Sequence, residues 1–505
     1  MKHLFWIVFF SAALTWSSGD GIAAERPIPT PPLSEIEQAL ANLSSSDSTT
    51  QDAAANVLMA TGDVSLLPRL EDMRATADRS VRMAMKPITD VLKNKAKLGS
   101  VAADERRSAA TDLGSLGRPV AIPWMEDALE HDSDRWVRYT LEESINLIKL
   151  SVNDPAAQAV AATILGTLHS QNAVPMLKAL AGNSSAEVAR AAREAIDRIE
   201  TWGMWAGGFE TIFRGISLSS ILLMMSLGLA IIFGLMGVIN MAHGELMMVG
   251  AYATYLAQEV FKAYLSPTLF DYYFFFALPF SFLAAGLCGL ALEATVIRFL
   301  YGRPLETMLA TWGVSLVMIQ GARVYFGDLT SVVAPSWLSG GMQAMVGVYL
   351  PYNRLFIILL SALCVVGIYL LLFGSGVGLR VRAVTQNRNM SACLGIPTRK
   401  VDAYTFAFGS GLAGVAGCAL TLVGNVEPGL GQNYIVDSFM VVVTGGVGKL
   451  AGTIVAAMGI GGLNKLLEPS FGAVYGKVCI LVLVILFLQW RPAGLFALKG
   501  RNADA

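Results

Sequence analysis

Two patterns of apolar residues divide the sequence. From residue 33 to about residue 200, apolar residues recur at helical spacing in short blocks separated by Gly, Asp, Asn or Pro. After Trp202, Trp205 and Phe209, long apolar runs follow one another as far as residue 490. Aromatic residues gather at membrane interfaces, and about 20 apolar residues suffice to cross a bilayer. The patterns predict an all-α protein in which a soluble helical region precedes a polytopic membrane region.

The membrane region contains nine candidate crossings. Its apolar runs lie near 212–236, 238–260, 272–297, 306–326, 353–373, 402–424, 434–448, 451–467 and 474–490. The runs at 434–448 and 451–467 are short and rich in glycine, so two half-helices and one kinked element both remain open.

Internal repeats characterise the soluble region. Asp78–Arg82 recurs as Asp134–Arg138, and Leu113–Leu116 recurs 52 residues later as Leu165–Leu168. A helix pair of this kind cannot bury its apolar face alone, so neighbouring pairs are expected to stack. The pattern resembles HEAT-type repeats and predicts an α-solenoid over most of residues 33–200. A partner-binding surface and a scaffold or lid without a ligand are both open roles for it.

The first 24 residues have the layout of a cleavable secretory signal, although a single uncleaved anchor is the alternative. Export predicts a periplasmic domain over 25–200, a linker over 201–211, a membrane domain over 212–495 and a cytoplasmic tail over 496–505. With nine crossings, the connections at 298–305 and 374–401 and the C-terminus lie inside, and they hold most of the Lys and Arg residues of this half. This bias agrees with a bacterial inner-membrane protein whose N-terminal domain is outside.

Composition excludes several classes of function. Residues 25–200 carry 44 of the 75 charged side chains, the net charge is −1, and no basic run indicates nucleic acid. The five cysteines all follow residue 200 without metal-ligand spacing, and His243 is the only histidine there. Gly446–Lys449 looks like a phosphate loop, but Leu450 stands where Ser or Thr is required. We therefore expect no metal, no cofactor, no catalytic residues and no ATPase activity in this chain.

Three polar residues interrupt the second apolar run. Asn240, His243 and Glu245 lie among glycines between apolar turns, and an ionised side chain costs roughly 2.5–3.5 kcal/mol at the centre of a membrane helix. Such residues face a pathway or a packed interior, and glycines let the backbone break there. The pattern predicts a discontinuous segment that lines a pathway, while hydrogen bonds between helices are an equally open role for each side chain.

The longest predicted cytoplasmic connection has helical character between Gly378 and Pro397. A short helix centred on Asn387–Leu394, with Gly395 at its end, would suit a membrane subunit that receives force from a soluble motor. A solvated basic loop is the alternative.

Three segments together carry a family resemblance. Residues 234–252, 379–417 and 439–457 resemble the permeases of ABC uptake systems for branched-chain amino acids and urea, and the resemblance extends over 210–495. The extended N-terminal region resembles that of the urea permease subunit, so urea is the favoured substrate. Branched-chain amino acids or other amides are the alternative, and a stand-alone solute channel is a further one.

The resemblance implies a set of partners and functional residues. It implies a second homologous permease subunit, two cytoplasmic ABC ATPase subunits that hydrolyse ATP, and a periplasmic solute-binding protein, all at the lipid bilayer. The residues expected to line the substrate pathway are Asn240, His243, Glu245, Thr311, Gln320 and Asn425. Those expected to couple transport to the ATPase are Arg382, Asn387, Ala392, Leu394 and Gly395.

Overall fold

The computed structural model describes residues 33–43, 48–183 and 185–496, and these residues form nineteen α-helices and one β-hairpin. They divide into two units at Ile199 and Glu200. The predicted export signal lies outside the described residues, as does the predicted C-terminal tail beyond Phe496.

The first unit consists of consecutive helices that pack on their neighbours in the sequence. Their apolar faces bury two clusters, one around Leu58, Leu92 and Leu141 and the other around Leu165 and Leu177. The helices are α1 (Leu33–Asn42), α2 (Ser48–Thr61), α3 (Leu67–Thr76), α4 (Arg79–Leu98), α5 (Ala103–Leu116), α6 (Ile122–His131), α7 (Arg135–Ser151), α8 (Pro155–Thr167), α9 (Val174–Asn183) and the first part of α10 (Ala186–Met236).

One close contact occurs twice in this unit. A Cβ atom added to Gly114 of α5 would come within 2.6 Å of the Oγ of Ser144 in α7. A Cβ added to Gly166 of α8 would come within 2.9 Å of Ala195 in α10. Both contacts need glycine because two helices meet there without room for a side chain. The repeated Leu-Gly sequence thus corresponds to a repeated helix contact, whereas the HEAT-like solenoid itself stays a prediction.

The second unit contains the apolar helices. Residues 201–211, for which the sequence predicted a linker, are helical and belong to α10. The other elements are α11 (His243–Tyr264), α12 (Tyr273–Thr295), α13 (Pro304–Phe326), β1 (Gly341–Met345), β2 (Val348–Pro351), α14 (Tyr352–Gly374), α15 (Gly376–Gln386), α16 (Arg388–Cys393), α17 (Thr398–Leu420), α18 (Leu430–Gly445) and α19 (Leu450–Trp490).

Five helical segments of the described chain are long and apolar enough to cross a membrane: Ala186–Met236, Leu269–Phe299, Tyr352–Gly374, Thr398–Leu420 and Leu450–Trp490. The sequence predicted nine crossings, four more than these five segments, and the difference has physical reasons. Helix α18 has only 16 residues, and polar side chains interrupt α11 and α13. Two predicted crossings fall in α19, where Gly472 has φ 77° and separates two helical halves. The count of nine stays a prediction.

Helix α17 lies at the centre of the second unit, packed between α11 and α12. Every residue from Gly409 to Leu420 is buried. Gly414 leaves no room for a side chain against Ala285 of α12, and Gly417 leaves none against Met247 of α11. Small residues allow such close approach of membrane helices, and dispersion contacts then hold them together.

The hairpin of β1 and β2 departs from the all-α prediction. The strands are antiparallel, and Gly347 with φ 81° lies in the turn between them. The indole Nε1 of Trp202 donates a hydrogen bond of 2.9 Å to the carbonyl oxygen of Val346 in that turn. Because the strands have only five and four residues, the sequence offers a weak alternating signal for them.

Candidate functional site

The candidate pathway segment is a break in the helical backbone between α10 and α11. Gly237 has φ 65°, and α11 begins only at His243. Side chains satisfy amides freed by the break: Asn240 Oδ1 accepts from the Ala242 amide at 3.1 Å, and Thr311 Oγ1 accepts from the Met241 amide at 3.1 Å. Membrane interiors supply no water for such groups, so these contacts make the break tolerable.

His243 is completely buried on the side of α11 that faces α10. Its Nε2 lies 3.2 Å from the carbonyl oxygen of Met225. Its ring borders Gly228, where an added Cβ would come within 3.3 Å of Cε1 and would also collide with Gly409 of α17. The imidazole therefore occupies the contact between α10, α11 and α17.

Glu245 points to other helices. One carboxylate oxygen accepts a 2.7 Å hydrogen bond from Ser315 Oγ of α13, and the other lies beside Gly431 of α18. Two residues along an α-helix correspond to a rotation of about 200°, so His243 and Glu245 project from nearly opposite sides of α11. The structure does not bring these two predicted residues together in one chamber.

Gln320 and Asn425 lie apart from the buried side chains. Gln320 is exposed on α13, whose buried face instead carries Thr311 and Ser315. Asn425 is exposed in the connection after α17, next to the antiparallel bridge between Val426 and Thr330. The six predicted pathway residues therefore form no single lining within this chain. Their assignment to a pathway stays a prediction.

Ser315 is a contact residue that the sequence analysis missed. It lies one helical turn after Thr311, and together the two hydroxyl groups join α13 to the start of α11. The spacing of four residues was the available signal for this pair.

The predicted coupling segment forms two helices where one was expected. Asn387 has extended φ and ψ angles of −151° and 102° and ends α15, and its Oδ1 accepts from the Met390 amide at 2.9 Å as the N-cap of α16. Gly395 follows with φ 81°. Ala392, Leu394 and Gly395 are all exposed, and Leu394 retains 75% of its surface. An exposed apolar side chain here suits contact with another protein.

Arg388 fixes α16 to the rest of the membrane unit. Its guanidinium donates to both carboxylate oxygens of Asp402 near the start of α17, and to the hydroxyl of Tyr301 at 2.6 Å. It also lies 4.3 Å from the centroid of the Tyr301 ring. Asp402 is only 3% exposed, and bidentate pairing of this kind fixes geometry as well as adding energy. Sequence reasoning named Asn387 and Ala392 but missed Arg388, because its partners are distant in sequence.

Arg382 occupies a different position from the other predicted coupling residues. It lies on α15, is exposed, and packs 5.0 Å from the ring centroid of Phe373. Its side chain lines a cavity against α10 and the start of α19. The structure therefore separates Arg382 from the surface that Ala392 and Leu394 present.

Among the described residues, no group of three His, Cys, Asp or Glu side chains could hold a metal ion. The polar groups of the site are instead hydrogen-bond donors and acceptors between helices. These hydrogen bonds can satisfy the backbone at the break between α10 and α11, and they can hold the short helix α16 against the rest of the unit.

Comparison with known proteins identifies the second unit. Residues 211–488, more than half of the chain, match the family described as branched-chain amino acid transport system, permease component. The high-affinity branched-chain amino acid transport system permease protein BraD of Pseudomonas aeruginosa is 27% identical over 292 residues, which are 57% of this chain and 94% of BraD. The corresponding protein LivH of Escherichia coli is 25% identical over 304 residues, with the same shares covered.

A third relative is a protein of Methanocaldococcus jannaschii. The probable branched-chain amino acid transport permease protein LivH of Methanocaldococcus jannaschii is 27% identical over 311 residues, which are 57% of this chain and 92% of that protein. All three relatives are transport permease proteins by name, in agreement with the expectation of a permease and not an enzyme.

Proposed function

Because the chain belongs to the family of permease components of branched-chain amino acid transport systems, we propose that it is the membrane permease of an ABC uptake system for branched-chain amino acids. The observation that carries this proposal is the match over 211–488, together with relatives that are covered over more than nine-tenths of their length. The proposal replaces the urea expectation, which rested on the extended N-terminal region. The three named relatives transport branched-chain amino acids according to their names, and none is named for urea.

The geometry of the buried polar residues supports the same choice. Urea has four N–H donors and one carbonyl acceptor, so it needs a pathway lined by hydrogen-bonding side chains. Asn240, His243, Glu245 and Thr311 were expected to supply that lining, but each is buried within this chain and makes a hydrogen bond to the backbone or to another helix. Asn240 Nδ2, His243 Nδ1 and Glu245 Oε2 are buried without a partner among the described residues, but they face the packed interior of this chain. Aliphatic side chains instead require apolar surfaces, which the exposed faces of this unit offer.

The exposed position of Gln320 is compatible with a second permease subunit. A substrate that passes between two permeases contacts residues exposed on the single chain, such as Gln320, and not residues sealed inside it. We infer a pathway between this chain and a homologous partner. The buried residues of α11 then act by holding the helices that form its wall.

The α16 segment is the proposed contact with the ATPases. Its exposed Ala392 and Leu394 would meet a cytoplasmic subunit, and the bonds of Arg388 would carry the movement to α17. A periplasmic solute-binding protein would deliver the substrate on the other side. We further propose that the chain lies in the bacterial inner membrane and that residues 25–200 form a periplasmic HEAT-like domain.

Uptake measurements test the substrate directly. Cells with and without the gene are given labelled leucine or labelled urea under identical conditions. Loss of leucine uptake with unchanged urea uptake is the expected result. The reverse outcome would restore the urea assignment. Leucine flux into vesicles without nucleotide would favour the channel alternative.

A further inference from the structure

The second unit contains a cationic cavity that the proposed transport function does not use. Its volume is roughly 680 Å³, and it lies between α10, α15 and the connection from α18 to α19. Arg382 and Lys449 provide its charges, and Thr385 and Gln386 lie beside them. No Asp or Glu is among the described residues that line it.

The positive charges of this cavity are not neutralised by the described part of the chain. Arg382 contacts the Phe373 ring, and neither Arg382 nor Lys449 forms an ion pair with a described carboxylate. Other arginines of the unit behave differently: Arg303 pairs with Glu306 and Arg388 pairs with Asp402. Two unpaired cations in one concave site attract an anion.

The remaining wall of the cavity is apolar. Leu227, Ile231 and Leu235 of α10 line it, together with Leu372 at the end of α14 and Leu450 at the start of α19. Aliphatic walls of this extent give no favourable contact to a small hydrated anion, but they suit a hydrocarbon chain.

A second cavity continues the same surface. It has a volume of roughly 290 Å³ and shares Ile231, Leu372 and Val381 with the first. Arg380 and Lys400 are among its lining residues, so it repeats the combination of aliphatic wall and basic side chains. The two cavities provide room for more than one acyl chain next to four basic side chains.

We propose that these joined cavities bind an anionic phospholipid. Its phosphate lies between Arg382 and Lys449, and its acyl chains follow the wall formed by α10 and α14. Basic pockets between membrane helices recognise anionic headgroups in this way. A zwitterionic amino acid fits less well, because no described carboxylate lines the cavity to receive its ammonium group. The inference does not depend on which solute the permease transports.

The test measures lipid binding to the full-length protein within its transport complex. The complex is placed in nanodiscs of phosphatidylcholine that contain a small fraction of labelled phosphatidylglycerol, and bound label is quantified. The double variant Arg382→Gln with Lys449→Gln should bind phosphatidylglycerol about tenfold more weakly, since each basic residue contributes to attraction of the headgroup. The charge-preserving pair Arg382→Lys with Lys449→Arg should retain binding and thereby show that the fold is intact.

Arg399→Gln is the matched control, because Arg399 is an exposed basic residue of α17 that lines neither cavity. Unchanged affinity in the double glutamine variant would overturn the proposal. Equal binding of labelled phosphatidylcholine would also overturn it, since the charges would then have no role. Competition by soluble glycerol phosphate at the same concentration as the lipid would identify a free phosphate site instead. Binding that is absent in the complete complex and appears only after the ATPases have been removed would assign the cavity to a protein contact and overturn the proposal.

Discussion

The two units differ in the side chains that they expose. In the first unit, charged residues lie mainly on the surface, and the core consists mainly of Leu, Ile, Met, Val and Ala, with Glu143 buried against Ser170. In the second, the exposed faces of α12, α14 and α19 are almost entirely aliphatic or aromatic, while Asn240, His243 and Glu245 are buried. A buried polar residue in the membrane unit therefore does not by itself indicate a pathway. It can equally be the contact that holds two helices together where lipid provides no hydrophobic driving force.

The largest expected effect concerns the ion pair of the membrane unit. Arg388→Asp should reduce leucine uptake by reconstituted complexes at least tenfold, because it places two carboxylates together at a site where Asp402 is buried. ATP hydrolysis should persist, so the ratio of leucine transported to ATP hydrolysed should fall.

The exchanged pair Arg388→Asp with Asp402→Arg provides the control for folding. It restores opposite charges and should recover part of the uptake. Normal ATP-dependent uptake in the single variant would remove Arg388 from the coupling role. If uptake and the amount of assembled complex fell by the same factor, Arg388 would have only a structural role.

The next effect tests the repeated contact of the first unit. Gly166→Val should lower the free energy of unfolding by about 1–3 kcal/mol, because overpacking at Ala195 forces the helices apart. Gly114→Val should behave similarly at Ser144. The measurement is chemical denaturation of the full-length protein in detergent, followed by hydrogen exchange in residues 103–199.

Gly182→Ala is the matched control in this region, because a Cβ at Gly182 has open space around it. It should leave stability nearly unchanged. If Gly166→Val were as stable as this control, the contact between α8 and α10 would not constrain the first unit.

A smaller effect distinguishes packing from substrate contact at α11. Ser315→Ala removes the donor to the buried Glu245 carboxylate and should cost about 1–2 kcal/mol in stability. The KM for leucine should not change if Glu245 holds α13, because the substrate does not contact it. Thermal unfolding and concentration-dependent uptake separate the two quantities.

Variants of the two buried polar residues of α11 sharpen this test. His243→Ala and Glu245→Gln are expected to impair uptake more than Cys418→Ala. If Glu245→Gln raised the KM for leucine and left the stability unchanged, Glu245 would contact the substrate in the pathway.

The smallest effect is the pH dependence of the first unit. The Arg106 guanidinium donates to both carboxylate oxygens of Asp132, and this hydrogen bonding lowers the pKa of Asp132 below its usual value of 3.8. A depressed carboxyl pKa stabilises the folded state above the unfolded pKa, and the stabilisation is lost as pH falls below it. The protection of amides in α5 and α6 against hydrogen exchange, measured relative to the intrinsic exchange rate at each pH, should therefore fall below pH 4.

Asp132→Asn should show faster exchange at neutral pH and a weaker dependence on acid. The pair is partly buried and lies close to the surface, where solvent still screens its charges, so a small change is expected. Identical acid sensitivity in the variant would assign the pH dependence to other carboxyl groups.

Sequence patterns predicted long apolar helices better than they predicted contacts. Helices α14 and α17 follow directly from continuous apolar runs. The break at Asn387 could not be predicted from the sequence, because asparagine is tolerated inside a helix and is also preferred as an N-cap. The directions of His243 and Glu245 depend on which helices pack against each side of α11, and no local pattern contains that information. Arg388 and Asp402 are 14 residues apart on different helices, which hides their pairing for the same reason.

The recurring glycine contact suggests that the first unit can be shortened or lengthened by protein engineering. Because Gly114 and Gly166 make equivalent junctions 52 residues apart, a segment of that length should behave as a cassette. If the predicted repeats stack, deleting or duplicating one such segment should join surfaces that already fit each other, so the region should change in length and keep the same core packing.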